Sequence, residues 1–235
     1  MNKHEEAIPN RKSNSAYYAN QFNFGNLVAK ISSHARQKMF ATLMRLAKPT
    51  AETTVLDVGV TSDRREDSNF FEKLYPYPAK LTAVGLEDAA FLEQEYPGVK
   101  YIKADGLDLP FPDKSFDLVV SFATIEHVGS RENQEAFVRE LCRVSHSCFI
   151  TTPNRWYPIE FHTVLPLVHW LPPHWFRAIL KGIGKSFWAE EESLNLISEP
   201  ELKGLFAGTS KIETSHFKLL GLVSNLVLYV KNDRP

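Results

Sequence analysis

Asp57, Glu87 and Asp105 each close a short apolar run: Thr53 to Leu56 before the first, Leu81 to Gly85 before the second, Val99 to Ile102 before the third. A carboxylate in such a place can accept paired hydrogen bonds from a diol or an amine, or it can simply cap a turn. Gly59, just past Asp57, lets the backbone approach a ligand closely. Further along, Glu126-His127 and Glu160-Phe161-His162 bring an acid next to an imidazole, the side chain best suited to moving a proton near neutral pH. His127 and His162 are therefore candidates for a general base or an acceptor contact, although a lone histidine is more often structural. Asn154 and Arg155 follow a further apolar run and suit an anionic or hydroxylated acceptor. All four tryptophans, Trp156, Trp170, Trp175 and Trp188, lie between residues 156 and 188 with His162, His169 and His174. Trp156 and Trp170 are candidates for a substrate wall, since indole faces suit sugars, aromatic rings and cations. A small secondary core is an equal alternative. Contact with a membrane surface ranks last, because prolines at 153, 158, 166, 172 and 173 interrupt any long amphipathic helix.

The surrounding pattern predicts the elements that hold these groups. Leu27, Ile31, Ala35, Met39, Leu43 and Leu46 recur at helical spacing, and Pro49 ends that helix. The three runs above read as strands. Phe116 to Phe122 and Cys148 to Thr152 read as a fourth and a fifth. Between them Ser130 is placed as an N-cap, with Phe137, Leu141 and Val144 along one helical face. Apolar strands alternating with helices indicate a largely parallel sheet covered on both faces. In such sheets ligands gather at the carboxyl ends of the strands, where all of these polar residues fall. The rhythm breaks over 154–188 and resumes with a helix near 198–206 and strands near 210–217 and 223–231. Residues 1–13 are charged and polar and are expected to be disordered, leaving 14–235 as one domain with 154–188 as a substrate-side insertion. Tyr17, Tyr18 and Phe22 could form a lid.

Composition narrows the partners. The 235 residues are 43% hydrophobic and carry 27 basic against 28 acidic side chains, a net charge of -1 that does not favour nucleic acid. No run of about 18 apolar residues offers a membrane span. The polar N-terminus lacks the apolar core of a secretion signal. Cys142 and Cys148 form neither a disulfide framework nor a metal-ligand spacing, which points to a reducing cytoplasm and to no metal.

The segments VLDVGVTSD (55–63), AVGLED (83–88), KADGLDLPFPDKSFDLVVS (103–121) and ATIEHV (123–128), in that order, resemble the class I S-adenosylmethionine-dependent methyltransferases. The branch resembled is the one with an LPFPD-x-SFD segment, and the likeness covers roughly residues 50–153. It implies a doubly wound α/β fold with seven mostly parallel strands, the last antiparallel. It also implies S-adenosylmethionine as cofactor. Asp57 and Gly59 would then hold the methionine portion, Glu87 the ribose hydroxyls, and Asp105 with Gly106 and Leu107 the adenine. Ser121 and Phe122 would line the space near the sulfonium. TTPNRWYPIEFHTVLPLVHWLP (151–172) looks like a branch found among cell-surface glycan and secondary-metabolite enzymes, which suggests a small metabolite or glycan precursor as acceptor. The family's turn commonly reads G-x-G-x-G, whereas Gly59-Val60-Thr61-Ser62-Asp63 keeps only the first glycine. Either the loop runs differently or the cofactor sits less tightly. A binding or scaffold protein derived from the fold is the rival reading. An NAD-dependent oxidoreductase is a weaker one, since G-x-G-x-x-G is missing.

Overall fold

The computed structural model describes residues 26–65, 68–208 and 211–232, with side chains from residue 32 onward. The expected disorder of 1–13 and the lid of Tyr17, Tyr18 and Phe22 lie outside the described residues. The leading helix, α1 (Asn26–Ala47), runs to the residue before Lys48-Pro49 and buries Ala35, Met39 and Leu43 at the predicted spacing of four. Lys48 turns the chain with a positive φ of 49°, and Pro49 cannot extend the helix.

Among the described residues nine strands follow: β1 (Val55–Val58), β2 (Leu81–Gly85), β3 (Lys100–Lys103), β4 (Leu118–Phe122), β5 (Ser147–Pro153), β6 (Ile159–Glu160), β7 (Leu165–Pro166), β8 (Lys211–Leu219) and β9 (Leu222–Lys231). Seven of them make one sheet in the order β3-β2-β1-β4-β5-β9-β8, and β6 with β7 forms a separate small hairpin. β1 to β5 are parallel, while β9 runs antiparallel to both β5 and β8. This is the seven-stranded, mostly parallel α/β sheet expected, with the last strand antiparallel. Strand limits move inward from the sequence reading: Thr53 and Thr54 precede β1, and Phe116 and Asp117 precede β4. At this junction Asp117 accepts hydrogen bonds from the Thr54 amide and hydroxyl at 2.8 Å, and the Asp117 and Leu118 amides both donate to the Thr54 carbonyl.

Burial follows topology. β1 is buried along its whole length because helices cover both faces. On one face α1, α2 (Phe70–Leu74) and α3 (Phe91–Glu95) close a core around Leu43, Phe71, Leu92 and Phe149. On the other, α4 (Arg131–Val144) and α6 (Glu199–Leu205) pack Phe137, Leu141, Leu202 and Phe206 over Leu56, Val119 and Ile150. Ser130 caps α4 by accepting from the Asn133 amide, as its position predicted, and Ser198 with Glu201 forms a capping box on α6.

The LPFPD stretch has a local structural cause. Arg143 of α4 donates to the carbonyls of Leu109 and Phe111 and pairs with Glu140 and Asp113, while Glu140 accepts from the Leu109 amide. One guanidinium fork thus ties the β3–β4 connection to the helix. The insertion builds a satellite core in which α5 (Pro173–Gly182) supplies Phe176 and Leu180 against Trp188 and Leu194. Among the described residues no helix is long and apolar enough to cross a membrane.

Candidate active site

The sheet order places the carboxyl ends of β3, β2 and β1 side by side, and with them Asp105, Glu87 and Asp57. Glu87 is half-buried and accepts a hydrogen bond from the Ser62 hydroxyl, while its carbonyl accepts one from the Tyr101 hydroxyl. Asp105 is half-buried too and accepts from the Leu107 amide at 2.9 Å, which sets the backbone of Gly106 and Leu107 in a tight turn. A Cβ on Gly106 would come within 2.7 Å of the Phe137 ring, so close packing of this turn against α4 requires the glycine. Gly59 has φ +120°, which L side chains rarely adopt, and a Cβ there would meet the Thr124 hydroxyl at 2.1 Å.

Asp57 is buried, and Glu72 of α2 comes up against it. Burial raises the Asp57 carboxyl to about 7, and burial together with the Asp57 charge raises Glu72 well above the usual carboxylate range. Nothing in the sequence marks Glu72, a single acid in the first turn of a five-residue helix.

The turn after β1 carries no left-handed strain where the glycines are missing. Thr61, Ser62 and Asp63 all lack positive φ, so no further glycine is needed there. The Asn69 side chain instead accepts from the Thr61 amide and donates to its carbonyl, both at 2.9 Å. Asp63 caps the next turn through the Arg65 amide and the Ser68 hydroxyl, and ion-pairs with the Arg65 side chain. Side-chain hydrogen bonds thus hold the backbone of this turn. Asn69 pays for this with a left-handed φ of 51°, which asparagine tolerates.

Ser121 and Phe122 end β4. Ser121 is buried with its hydroxyl unpartnered, and Phe122 sits in an aromatic cluster 4.9 Å from Phe70 and 5.6 Å from Phe149. Ala123 then takes a left-handed φ of 52° and starts the turn at residues 125–127 that carries Glu126 and His127. Residues 193–195 grip that turn: the Ser193 carbonyl meets His127 Nδ1 at 2.7 Å, and the Asn195 amide donates to the Glu126 carbonyl at 2.8 Å. Gln134 of α4 adds bonds to the carbonyls of Ile125 and Asn195.

His162 arrives from the insertion, 35 residues further along the chain than His127, and the two rings meet edge to face at 4.8 Å. The Glu160 carboxylate fixes His162, with Oε1 at 2.7 Å from Nδ1, and also accepts from the Thr163 amide and hydroxyl. Trp188, buried, closes the cluster 4.9 Å from His162. Burial lowers His127 to about 3, helped by the His162 charge. Burial also works to lower His162, but the Glu160 carboxylate outweighs it and leaves the ring above its ordinary value. Burial raises Glu126 to about 7, and Glu160 falls to about 2 because His162 and Thr163 outweigh its own burial. The two histidines proposed from sequence thus share one half-buried cluster, and Glu126 and Trp188 belong to it as well.

The remaining candidates lie further out. Asn154 is committed to the fold, donating to the Val223 carbonyl and accepting from the Trp156 amide. Arg155 lies over the Trp156 ring at 5.5 Å. Trp156 and Trp170 face each other edge-on at 6.3 Å and are 52% and 41% exposed, so the secondary core that sequence allowed is built on Trp188 instead. A shallow hollow lined by Thr50, Glu52, Thr53, Asp117 and Ser147 opens at the amino ends of β1, β4 and β5, the end of the sheet away from these polar groups.

Part of the sequence and the fold are similar to known methyltransferases. A family model described as a methyltransferase domain matches residues 67–147. A probable S-adenosylmethionine-dependent methyltransferase of Mycobacterium tuberculosis is 42% identical over 69 residues, covering 28% of this chain and 24% of the relative. The chain spans about a quarter, or less, of the length of the curated relatives it matches. Among solved structures, the PH0226 protein of Pyrococcus horikoshii superposes with a TM-score of 0.60 at 13% identity, over 93% of this chain and 99% of that one. The N-methyltransferase NodS of Bradyrhizobium japonicum, in complex with S-adenosylhomocysteine, gives 0.53 at 11% identity, over 85% and 87%. Residues 67–147 thus match a methyltransferase domain, and the sheet as a whole has the fold of these solved structures.

Proposed function

We propose that this chain transfers the methyl group of S-adenosylmethionine to oxygen, nitrogen or carbon of a small metabolite or a surface-glycan precursor. The reading treats 14–235 as one catalytic domain, with 154–188 on the acceptor side. The observation that carries it is the row of Asp57, Glu87 and Asp105 at the ends of three adjacent strands, with the Glu126–His127–His162 cluster beyond the end of β4. A reducing cytoplasm suits Cys142 and Cys148, which form no disulfide.

These residues fit the cofactor by their chemistry. Glu87 offers a carboxylate to the ribose hydroxyls, and Asp105 with the backbone of Gly106 and Leu107 suits the adenine edge. Asp57 and Gly59 would take the methionine end, and the unpartnered Ser121 hydroxyl and Phe122 would line the space near the sulfonium. S-adenosylmethionine supplies an electrophilic methyl on a good leaving group. The protein then has to align the acceptor and, for a hydroxyl, remove its proton. In this reading His127 and His162 would take that proton, with Asn154, Arg155, Trp156 and Trp170 on the acceptor side.

Incubation with label in the transferable methyl and fractionated acceptor pools tests the reading. Incorporation that is lost in Glu87→Ala supports it, and a folded protein that labels no pool contradicts it. Glu87→Ala is expected to weaken cofactor binding by about 1.5–3 kcal/mol, the range for hydrogen bonds to a charged group. Calorimetry checks this, and unchanged affinity would show that the β2 acid is not the ribose ligand. Thr61→Gly is expected to leave affinity unchanged, because Asn69 already holds that backbone. Asn69→Ala, by contrast, should lower it. A large loss with Thr61→Gly would mean that the threonine side chain itself touches the cofactor.

A further inference from the structure

The cluster beyond β4 has a feature that proton transfer alone does not explain. Glu126 is fully buried, and only one of its carboxylate oxygens is satisfied: Oε2 accepts from the Thr152 hydroxyl at 2.9 Å, whereas Oε1 has no hydrogen-bond partner. An unmet carboxylate oxygen in such a place is costly unless something positive reaches it. His127 Nε2 lies 3.9 Å from that oxygen, and one ligand atom from each of Glu126, His127 and His162 lies within 4.8 Å of the other two.

We propose that Glu126, His127 and His162 bind one divalent transition-metal ion. Each histidine already has its Nδ1 fixed from behind, His127 against the Ser193 carbonyl and His162 against the Glu160 carboxylate, both at 2.7 Å. That arrangement sets the tautomer, raises ligand basicity and turns Nε2 toward a metal. Two imidazoles and one carboxylate form a donor set for zinc, manganese, iron(II) or cobalt(II) rather than for magnesium or calcium, which prefer all-oxygen shells. Bonds of about 2.1 Å put neighbouring ligands roughly 3–3.5 Å apart, so the triangle has to close slightly on binding. Three protein ligands leave coordination positions open. In the methyl-transfer reading above, on which this last step rests, those positions take an oxygen of the acceptor and lower its pKa. No metal-ligand spacing was legible in the sequence because the third ligand comes from a different segment of the fold.

The test is titration of the chelator-treated, full-length chain with cobalt(II), followed by visible absorption. One equivalent is expected to give ligand-field bands, which zinc then displaces. Glu126→Gln, His127→Ala and His162→Ala are each expected to weaken binding by at least about 10–100-fold. His162→Gln, which keeps more of the packing on Trp188, covers the case in which the alanine variant does not fold. Absent bands, or bands that persist unchanged in folded Glu126→Gln and His162→Gln, overturn the assignment. Calorimetry with S-adenosylhomocysteine on the metal-free protein separates the two readings. Cofactor binding without metal binding defeats the metal site alone, and metal binding without cofactor binding defeats the methyl-transfer reading alone.

Discussion

Methyl transfer is expected to slow by roughly 10²–10⁴-fold when His162 is replaced by alanine, with cofactor affinity nearly intact. The asymmetry follows from position. His162 comes from the insertion and meets His127, Glu160 and Trp188, whereas Asp57, Glu87 and Asp105 stand at the ends of β1, β2 and β3. Removing the ring therefore strips the acceptor side of either a base or a metal ligand, and leaves the cofactor row untouched. His127→Ala should behave in the same way, since its ring is held 4.8 Å away by the Ser193 carbonyl. Steady-state kinetics and calorimetry on the folded variants check the result. An acceptor whose nucleophilic atom carries no proton would show a smaller loss. Undiminished turnover in both variants would remove the cluster from the mechanism.

The second large effect concerns stability. In the unfolded chain Asp57 ionises at the ordinary value of 3.8, whereas in the fold burial holds its proton to about 7. Between those values the native state binds more protons than the unfolded state, so stability falls as pH rises through that window, and the Asp57 contribution levels off above it. Glu72, raised by burial and by the Asp57 charge, extends the trend in the same direction. Glu72→Gln removes one buried charge and places an amide donor against Asp57. At pH 8 the variant is expected to be more stable by about 2 kcal/mol, or about 4–8 °C in Tm, and near pH 4 the difference should vanish. Thermal melts across pH check it. Parallel profiles for wild type and variant would mean that the pair carries no shared proton.

Much of this was legible in the sequence, for identifiable reasons. Strands buried on both faces read as unbroken apolar runs, which is why β2 was located to the residue. Ser130 announced α4 through its capping chemistry. The carboxylate row was legible because each acid follows an apolar run closely: Asp57 is the last residue but one of β1, and Glu87 and Asp105 lie two residues past β2 and β3. Other features depend on contacts between distant segments. Glu72 meets Asp57 only because α2 folds back over β1. The Glu126–His127–His162 triangle needs the insertion to return across the end of β4. At the glycine-poor turn the sequence does not show that the side chain of Asn69, eight residues beyond Thr61, holds the Thr61 backbone. Likewise the four tryptophans look alike in sequence, but only Trp188 lies among helices that cover it.

The most direct test of the central claim is calorimetric titration of the purified chain with S-adenosylhomocysteine, with NAD as the comparison. The expected result is saturable one-to-one binding of S-adenosylhomocysteine, weakened by Glu87→Ala, with no binding of NAD. A folded protein that gives no saturable signal with S-adenosylhomocysteine, or that binds it as tightly without the Glu87 carboxylate, would contradict it.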